Sequence, residues 1–381
     1  MKSVLAGRSV FVTGHTGFKG SWLAIWLHRL GAKVTGYSLS PPTEPNNFTV
    51  SRVCDLLACH HEADIRDADR LGRAVREAAP DVVFHLAAQS LVRPSYAAPR
   101  ETFEVNVIGT AAVLDAVRAL GKPCAVVVVS SDKCYENREQ VWGYREIDPL
   151  GGADPYSASK GAAEFLVASY RRSFFPPSAI AGHRVQLATA RAGNVIGGGD
   201  WAQDRLVVDA VRSLVAGQPV PVRSPRSVRP WQHVLEPLGG YLTLAAKMLQ
   251  SADPAWCEAW NFGPLPGPAI PVSRLVDMLL TAWEGGSWLD ASDPTAPHEA
   301  GVLRLNIDKS LACLGWRPVW GLAEAVERTA RWYRRYYQAR ETCMLDACLE
   351  DICDYEQAGR KGTGTFFGLE GSENEPVPGG P

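Results

Sequence analysis

The sequence predicts an α/β protein with a doubly wound parallel sheet and a second, smaller lobe. Three observations indicate this fold. Short β-branched runs alternate with helical patterns through the first half, a glycine-rich turn follows the first run, and loops rich in glycine, proline and arginine take over after residue 191. Near-continuous apolar strands separated by helices are typical of a parallel sheet that is covered on both faces. A chain of 381 residues is long enough for two lobes.

The predicted strands are RSVFVT, AKVTGYS, DVVFHLAA, CAVVVVSS and HRVQLATAR, with helices over 20–30, 66–79, 101–120 and 156–173. EAWNFGP at 258–264 predicts a strand that returns to the first domain, and SRLVDMLLTAWEG and LAEAVERTARWYRRYYQ predict helices of the second lobe. We therefore expect the first domain over 1–193 with the return of 232–263, and the second lobe over 194–231 and 264–340. Residues 358–381 are rich in Gly, Pro and Glu, which predicts a mobile tail.

The composition excludes several functional classes. The formal net charge is −2, so the basic excess that suits a nucleic-acid backbone is missing. No apolar run approaches the roughly 20 residues that span a bilayer, and the start of the chain lacks a signal-peptide layout, so we expect a cytoplasmic protein. Nine scattered cysteines without C-x-x-C pairs predict reduced thiols. Cys343, Cys348 and Cys353 would spread around a helix without a nearby histidine, so we predict no metal site.

The first strand-to-helix turn contains Gly14, Gly17 and Gly20 within VTGHTGFKGSWL. Glycines at this turn let the backbone approach a pyrophosphate, while the helix N-terminus supplies N–H groups and a favourable dipole. The spacing is G-x-x-G-x-x-G instead of the dehydrogenase pattern G-x-G-x-x-G. We interpret the loop, with Thr16 and Phe18, as a dinucleotide site; the alternative is a glycine-rich turn without a ligand.

Two strand ends bear on which dinucleotide binds: that of the second strand, AKVTGYS, and that of a short third strand expected just before Asp64. An acid at the end of the second strand is typical of NAD sites and a nearby arginine of NADP sites, but this chain has Tyr37 and Ser38 there. The choice between NAD and NADP therefore stays open. Asp64 and Ile65 are candidates for an adenine pocket. An Asp64 that only caps its loop is an equally supported alternative.

The fourth strand ends in HLAAQS at 85–90, where small residues follow the strand. We predict that Leu86 and Ala87 let a nicotinamide ribose pass close to the backbone. Asn106 is a polar residue on an otherwise apolar helical face. A satisfied buried amide is the interpretation that we favour for it.

The fifth strand ends in Ser131, Asp132 and Lys133, and Tyr156-x-x-x-Lys160 opens a helix further on. The helical spacing places the phenol and the amine one turn apart on one face. A nearby cation favours the phenolate, so Tyr156 can take a proton from a hydroxyl while Lys160 holds a cofactor ribose. Ser131 would donate to the same hydroxyl. Alone, the Tyr/Lys spacing also fits a surface helix pair; the glycine loop and Ser131 favour the catalytic interpretation.

These motifs resemble the extended short-chain dehydrogenase/reductase superfamily, over about residues 8 to 335. Within it, GHTGFKGSWL, SSDKCYEN, GGADPYSASK, ARAGNVIGGGDWAQDR and RPWQHVLEPLGGYL resemble the nucleotide-sugar 4,6-dehydratases that act on CDP-glucose. The resemblance implies a Rossmann-type domain that binds NAD and a lobe that binds CDP-glucose. It also implies a lyase reaction to CDP-4-dehydro-6-deoxyglucose and water, by C4 oxidation, C5/C6 elimination and reduction at C6, feeding deoxysugar synthesis for surface polysaccharide.

Such an elimination needs a base for the C5 proton and an acid for the departing 6-hydroxyl. The resemblance implies that Asp132 and Lys133 supply them, in place of the Asp-Glu pair usual in the wider group. Lys133 must then be a neutral amine, through desolvation or through neighbouring cations such as Lys160, and Asp132 must be held protonated. The alternative is an ion pair between Asp132 and Lys133 that only orders the loop.

The resemblance also implies substrate-binding residues in the second lobe. Asn194 and Arg229 are expected at the diphosphate, and Arg205 and His298 near the nucleotide. In the first domain, Gln89 and Ser90 follow the fourth strand and are candidates to face the hexose. Trp201 and Trp231 are interpreted as packing residues.

In this superfamily the helices that correspond to 101–120 and 156–173 pair across a homodimer, so we expect a homodimer here. Two other functions stay open. A sugar-nucleotide 4-epimerase would not need Asp132 and Lys133, and a regulator that binds without catalysis would not need Ser131, Tyr156 and Lys160.

Overall fold

The computed structural model describes residues 1–267, 270–293, 302–338 and 343–363. The strands are β1 (Ser9–Thr13), β2 (Lys33–Ser38), β3 (Cys59–Glu62), β4 (Val82–His85), β5 (Cys124–Val129), β6 (Val185–Ala192), β7 (Val195–Ile196), β8 (Val220–Val222), β9 (Gln232–His233), β10 (Ala259–Phe262) and β11 (Trp288–Asp290). Seven of them form one parallel sheet in the order β10-β6-β5-β4-β1-β2-β3. The strand order reverses between β1 and β4, where a doubly wound sheet opens its binding crevice. The predicted fold class is confirmed.

Helices cover both faces of this sheet. They are α1 (Lys2–Leu5), α2 (Phe18–Arg29), α3 (Asn47–Val50), α4 (Ala68–Ala78), α5 (Val92–Ala97), α6 (Pro99–Phe103), α7 (Gly109–Leu120), α8 (Pro155–Ser173), α9 (Ile180–His183), α10 (Leu206–Val215), α11 (Leu235–Gln250), α12 (Val272–Trp283), α13 (Leu322–Tyr337) and α14 (Leu345–Thr363). Short 3-10 turns lie at Val53–Leu56, Asp132–Cys134, Pro177–Ala179 and Pro254–Trp256, and π-helical turns at Glu104–Ile108 and Ser310–Leu314. Helices α4, α7 and α8 cover one face of the sheet, and α2 and α11 cover the other.

The central strands are apolar because both of their faces are buried. All eight residues of β6 are buried, as are the first five of β5. Strand β3, with the sequence CHHE, is the edge strand and only partly buried, which explains why it carries no apolar run. The return strand β10 pairs with β6, where the sequence predicted a return.

The second lobe contains α10, α12, α13 and the small parallel pair of β8 with β11. Its core is aromatic. Trp201 is buried, donates its Nε1–H to the Tyr337 hydroxyl at 2.9 Å and packs edge-on against Trp332 and Tyr333. Trp231 is buried as well. Both tryptophans are packing residues, as the sequence suggested.

The predicted helix 101–120 is helical throughout, as the end of α6, the π-helical turn Glu104–Ile108 that contains Asn106, and α7. The predicted tail from 358 begins too early, because α14 continues as a helix to Thr363; the remainder of that prediction lies outside the described residues. Among the described residues, no helix has the length and apolar character that crossing a membrane requires.

Candidate active site

The glycine loop between β1 and α2 is closed against its own backbone and against the end of β4. Gly14 has a φ of 74°, and a Cβ placed on it would lie 2.7 Å from the Ala87 nitrogen. A Cβ on Gly20 would lie 2.1 Å from the Gly14 carbonyl oxygen. Side chains are excluded at both positions, so the loop backbone is tightly wound and its amides stay accessible at the start of α2. This arrangement is the cradle that a pyrophosphate requires.

Thr13, at the end of β1, fixes the position of the next strand end. Its hydroxyl oxygen accepts hydrogen bonds from the backbone N–H groups of Leu86 and Ala87, both at 3.1 Å. The same hydroxyl is hydrogen-bonded to His85 Nδ1 at 2.7 Å. The structure thus places Leu86 and Ala87 beside the glycine loop. Thr13 itself gave no signal in the sequence, because its partners lie about seventy residues away.

On the adenosine side, the Thr16 hydroxyl is hydrogen-bonded to that of Ser38 at 2.8 Å. Asp64 is engaged by its own loop: its carboxylate accepts from the Arg66 backbone N–H at 2.8 Å and from the Arg66 guanidinium. That arrangement favours the loop-cap interpretation of Asp64. Ile65 is buried against the backbone of Gly109.

Ser131 caps the 3-10 turn Asp132–Cys134, accepting the Lys133 backbone N–H at 3.2 Å. This turn brings the Asp132 carboxyl into the crevice, where the residue is only 2% exposed. Asp132 Oδ1 accepts from the Ser131 hydroxyl at 3.0 Å, whereas Oδ2 is buried without a hydrogen-bond partner among the described residues. Burial raises the pKa of Asp132, and the charge of Lys133 and the hydrogen bond from Ser131 oppose that shift. No ion pair within 4 Å joins Asp132 to Lys133 in the described part of the chain, so the ion-pair alternative is not what the geometry favours.

Tyr156 and Lys160 lie in the first turns of α8, which begins at a strong local signal. Asp154 caps the helix by accepting the Ser157 N–H at 2.9 Å, and Pro155 occupies the first helical position. Burial raises the pKa of Tyr156 to about 12, and hydrogen bonding with Ser131 offsets part of that rise. Burial also lowers the pKa of Lys160 to about 8. The structure therefore brings Ser131, Tyr156 and Lys160 together, but in the free protein the phenol stays protonated.

A buried ion pair that the sequence reading missed supports this helix. Arg191 on β6 donates from Nε and Nη2 to the Glu164 carboxylate at 2.9 and 2.8 Å, and both side chains are 4% exposed. The Thr189 hydroxyl donates to the same carboxylate at 2.9 Å. Glu164 lies one turn after Lys160, and its charge counters part of the effect of burial on Lys160. The i, i+4 spacing from Lys160 was the available signal.

Gln89 is turned into its own loop: its amide donates to the Leu91 carbonyl at 3.0 Å and to Thr102 Oγ1 at 3.1 Å, and its Oε1 accepts the Leu91 N–H. Contact of Gln89 with a hexose stays a prediction. The Asn106 amide is satisfied by the backbone of Gln89 and by Ser159, as predicted.

The arginines of the second lobe lie at the crevice. Arg205 lies beside Asp200, with Nε and Oδ2 3.2 Å apart, and its charge acts on Tyr156. The charge of Arg229 acts on Asp132. Asn194 is partly exposed at the end of β6. His298 lies outside the described residues.

The comparisons with known proteins agree with this geometry. The family model described as GDP-mannose 4,6 dehydratase matches residues 11–253. A CDP-glucose 4,6-dehydratase from Salmonella typhimurium is 48% identical over 94% of this chain and 98% of its own length. A dTDP-glucose 4,6-dehydratase from Streptomyces antibioticus is 30% identical over 86% of this chain and 92% of its own length.

A solved structure leads to the same family. The dTDP-glucose 4,6-dehydratase from Streptomyces venezuelae, solved with NAD and TYD bound, superposes with a TM-score of 0.73 and 25% identity, covering 87% of this chain and 98% of that one. The UDP-glucose 4-epimerase of Thermotoga maritima, with a TM-score of 0.72 and 22% identity, shares the fold. From the match of the family model and of the curated relatives over most of its length, the chain belongs to the family of nucleotide-sugar 4,6-dehydratases.

Proposed function

We propose that the chain is an NAD-dependent lyase that converts CDP-glucose to CDP-4-dehydro-6-deoxyglucose and water. The observation that carries this proposal is the Asp132 carboxyl, buried beside Ser131 and Tyr156 with one oxygen that has no partner among the described residues. An epimerase has no use for such an acid, whereas the elimination of water requires one. CDP as the nucleotide rests on the 48% identity to the Salmonella typhimurium enzyme.

The glycine loop fits a dinucleotide. Side chains are excluded at Gly14 and Gly20, and the start of α2 presents backbone N–H groups for a pyrophosphate. A dinucleotide held by this loop would supply the hydride acceptor for oxidation at C4 and the hydride donor for reduction at C6. The second strand ends in Tyr37 and Ser38 without a carboxylate or an arginine, so the preference for NAD over NADP rests on the relatives.

Oxidation at C4 requires a base for the hydroxyl proton. Tyr156 is assigned this role, with Ser131 donating to the same oxygen and Lys160 holding the nicotinamide ribose. With its pKa near 12, Tyr156 is a poor base in the free protein. Lys160 lies one turn away and keeps a charge below about pH 8, so its ammonium favours the phenolate once the crevice is filled.

The C4 ketone acidifies the C5 hydrogen, which Lys133 removes as a neutral amine. The C6–O bond then breaks, and Asp132 protonates the departing hydroxyl to form water. Lys133 later returns its proton to C5. Burial raises the pKa of the Asp132 carboxyl and so favours its protonated form.

The proton balance closes inside the site. Tyr156 gains the proton of the 4-hydroxyl, and Asp132 loses one to the leaving group. Ser131 connects the two: its hydroxyl donates to Asp132 at 3.0 Å and is hydrogen-bonded to the Tyr156 phenol. A transfer through Ser131 therefore restores both groups for the next turnover without a proton from solvent.

The second lobe is proposed to bind the nucleotide. Arg229 and Asn194 are assigned to the diphosphate, where the planar guanidinium suits phosphate oxygens. Arg205 is assigned near the nucleotide. The assignment of Arg205 and Arg229 is supported by the electrostatic influence of both on Tyr156 or Asp132, which requires them to lie near the catalytic groups.

The proposed assembly is a homodimer through α7 and α8. Phe103, Ile108 and Phe165 are exposed on neighbouring elements of this face and form an apolar patch that a second copy would cover. A cytoplasmic location is proposed from the chemistry of the cysteines, because all nine are free and thiols persist in a reducing compartment.

A panel of nucleotide glucoses tests the function. The enzyme with NAD is incubated with CDP-, dTDP-, GDP- and UDP-glucose, and products are weighed by mass spectrometry. We expect CDP-glucose to lose one water at a rate well above the other three. A product of unchanged mass would indicate an epimerase, and preferential dehydration of another nucleotide glucose would overturn the choice of CDP.

A second experiment tests the C5 base. The reaction is run in D₂O with the wild type and with Lys133→Met, and deuterium at C5 of the recovered sugar nucleotides is measured. We expect the variant to lose most of the exchange. Exchange at the wild-type rate would rule out Lys133 as the base.

A further inference from the structure

Tyr135 follows the turn that carries Asp132 and Lys133, the two groups proposed for the elimination. The residue is 1% exposed, and its hydroxyl lies between two side chains from other strands. That hydroxyl accepts a hydrogen bond from Arg191 Nη1 at 2.8 Å and donates one to Asn261 Oδ1 at 2.7 Å. The proposed mechanism gives this phenol no role. A buried hydroxyl that is satisfied on both sides restricts the position of the chain around it.

The turn itself closes on long hydrogen bonds. The Cys134 nitrogen lies 3.2 Å from the Ser131 carbonyl oxygen, and the Tyr135 nitrogen lies 3.3 Å from the Asp132 carbonyl oxygen. Such bonds are usually about 2.9–3.0 Å long, and they weaken beyond that. The position of the Asp132 and Lys133 side chains therefore depends on how firmly Tyr135 is held.

Arg191 connects this turn to α8, the helix that carries the Tyr/Lys pair. Its Nε and Nη2 donate to Glu164 on α8, and its Nη1 donates to the Tyr135 hydroxyl. Nη1 also donates to the Glu146 carbonyl at 3.1 Å, further along the segment that follows the turn. A guanidinium is planar and rigid, so it fixes the distance between its partners. One side chain therefore sets the position of α8 relative to the turn.

Asn261, on β10, connects the same hydroxyl to the second lobe. Its side chain is fully buried, and its Nδ2 donates to the carbonyls of Tyr144 at 2.8 Å and Asn306 at 3.0 Å. The Tyr135 ring also stacks on the Tyr144 ring, with centroids 5.3 Å apart and planes at 18°. The turn, the sheet and the segment at Asn306 thus meet around one phenol.

We propose that Tyr135 is a positioning residue for the elimination, whose hydroxyl holds the turn Asp132–Cys134 in register with α8. This inference rests on the proposed dehydratase function. Tyr135 exchanges no proton in the reaction and acts only through the turn. Its hydroxyl keeps the base and the acid at the positions that C5 and the 6-hydroxyl require, because elimination depends steeply on the geometry of both groups.

The groups of the C4 oxidation are held by other contacts. Ser131 lies two residues after β5, whose last residue pairs with β6. Helix α8, which carries the Tyr/Lys pair, stays joined to Arg191 through Glu164. Loss of the Tyr135 hydroxyl should therefore displace the turn and leave the oxidation groups in place. The two halves of the reaction should respond differently.

The test measures each half with its own substrate. CDP-6-deoxyglucose has no 6-hydroxyl, so it can be oxidised at C4 but cannot lose water. Tyr135→Phe keeps the ring on Tyr144 and the Arg191 guanidinium over its face. We expect this variant to lower kcat for the dehydration of CDP-glucose about 10- to 100-fold, as for a displacement of up to about 1 Å. The single-turnover rate of nicotinamide reduction by CDP-6-deoxyglucose, followed by absorbance, should change less than about twofold.

A spectroscopic signature and a matched control sharpen the test. During turnover of CDP-glucose, Tyr135→Phe should hold more of its nicotinamide in the reduced form than the wild type, because the hydride cannot return to C6 before elimination. Tyr355→Phe removes another buried hydroxyl, which donates to Glu236 at 2.8 Å, and should leave both rates unchanged. If Tyr135→Phe does not fold, Asn261→Ala removes the acceptor of the same hydroxyl and must show the same selective loss.

Two results would overturn the proposal. Equal losses of dehydration and of C4 oxidation would make Tyr135 a general support of the fold, and unchanged dehydration would show that its hydroxyl is not needed. Failure of the proposed function is recognised in the wild type. If the wild type dehydrates another nucleotide glucose, only the choice of CDP fails, and the glucose and 6-deoxyglucose of that nucleotide serve for the comparison. A wild type that dehydrates no nucleotide glucose would refute the dehydratase function and this inference with it.

Discussion

Replacing Glu164 by glutamine should lower the free energy of unfolding by about 3–5 kcal/mol, because it leaves a guanidinium buried without a counter-charge. The magnitude follows from the geometry. Arg191 donates twice to Glu164, at 2.9 and 2.8 Å, and both side chains are 4% exposed. An exposed pair offers a matched control: Arg52 and Asp55 approach to 2.6 Å but are 68% and 56% exposed. Asp55→Asn should therefore cost less than about 1 kcal/mol.

A double-mutant cycle measures the interaction energy between Glu164 and Arg191 directly. Arg191→Met alone should also cost about 3–5 kcal/mol, because it strands the Glu164 carboxylate. The double variant strands neither charge. It loses the four hydrogen bonds that Arg191 donates to Glu164, Tyr135 and Glu146, worth about 1 kcal/mol each, so it should cost about 4 kcal/mol, less than the sum of the single variants. Urea unfolding followed by tryptophan fluorescence measures all four proteins. If the double variant costs the sum of the single variants, the two groups do not interact and the reasoning fails.

The same substitution should change the pH dependence of catalysis. Burial lowers the pKa of Lys160 to about 8, and the charge of Glu164 counters part of that shift. In Glu164→Gln the pKa of Lys160 must fall further, so its ammonium is lost at lower pH. Activity that needs this ammonium should then decline on the alkaline side at a lower pH than in the wild type. If the pH dependence of kcat is the same in the variant and the wild type, the ion pair does not influence the function of Lys160.

Three further predictions concern the glycine loop, the proton path and a buried acid. Gly20→Ala would place a Cβ 2.1 Å from the Gly14 oxygen, so NAD binding by calorimetry should weaken at least about 100-fold, while Gly182→Ala, in open space, should bind normally. Ser131→Ala should lower kcat about 100-fold, while Ser131→Thr keeps the hydroxyl and should retain most of it; equal losses would contradict a proton path through that hydroxyl. Burial raises the pKa of Glu236 to about 7, so the stability that this group contributes below pH 4.5 is lost as pH rises through 7. Between pH 5 and pH 8, urea unfolding should shift in favour of Glu236→Gln by up to about 3 kcal/mol, and a constant difference would refute the raised pKa.

Much of the fold followed from local patterns. Five strands and the return strand were predicted because a buried parallel strand must be apolar on both faces, and the helix α8 was predicted from the helical pattern of 156–173. Helix α14 was not predicted in full. Its last residues include glycine and charges typical of a tail, and its stability comes from tertiary contacts such as the hydrogen bond between Trp26 Nε1 and Glu356 at 2.9 Å.

In the candidate site, too, some residues were predicted from local patterns and others were not. Ser131, Tyr156 and Lys160 were predicted because a strand end and a helix turn fix their spacing locally. Thr13 was not, because its hydrogen bonds to Leu86 and Ala87 join strand ends that only the strand order brings together. The role of Gln89 stays open for a related reason: a polar residue after a strand can face the crevice or satisfy its own loop, and the sequence does not distinguish the two.

The adjacent Asp132 and Lys133 must act as a neutral acid and a neutral base, although side by side in water they would be carboxylate and ammonium. The structure shows what alters that balance. Burial favours the protonated Asp132. Ser131 donates a hydrogen bond to one oxygen of Asp132, and the other oxygen forms no ion pair with Lys133. The cations Lys19 and Arg229 oppose this by favouring the carboxylate. A diphosphate bound beside Arg229, as proposed, would compensate that positive charge and so favour the protonated form of Asp132. A sugar that lacks its diphosphate should therefore bind with Asp132 less favourably protonated for elimination.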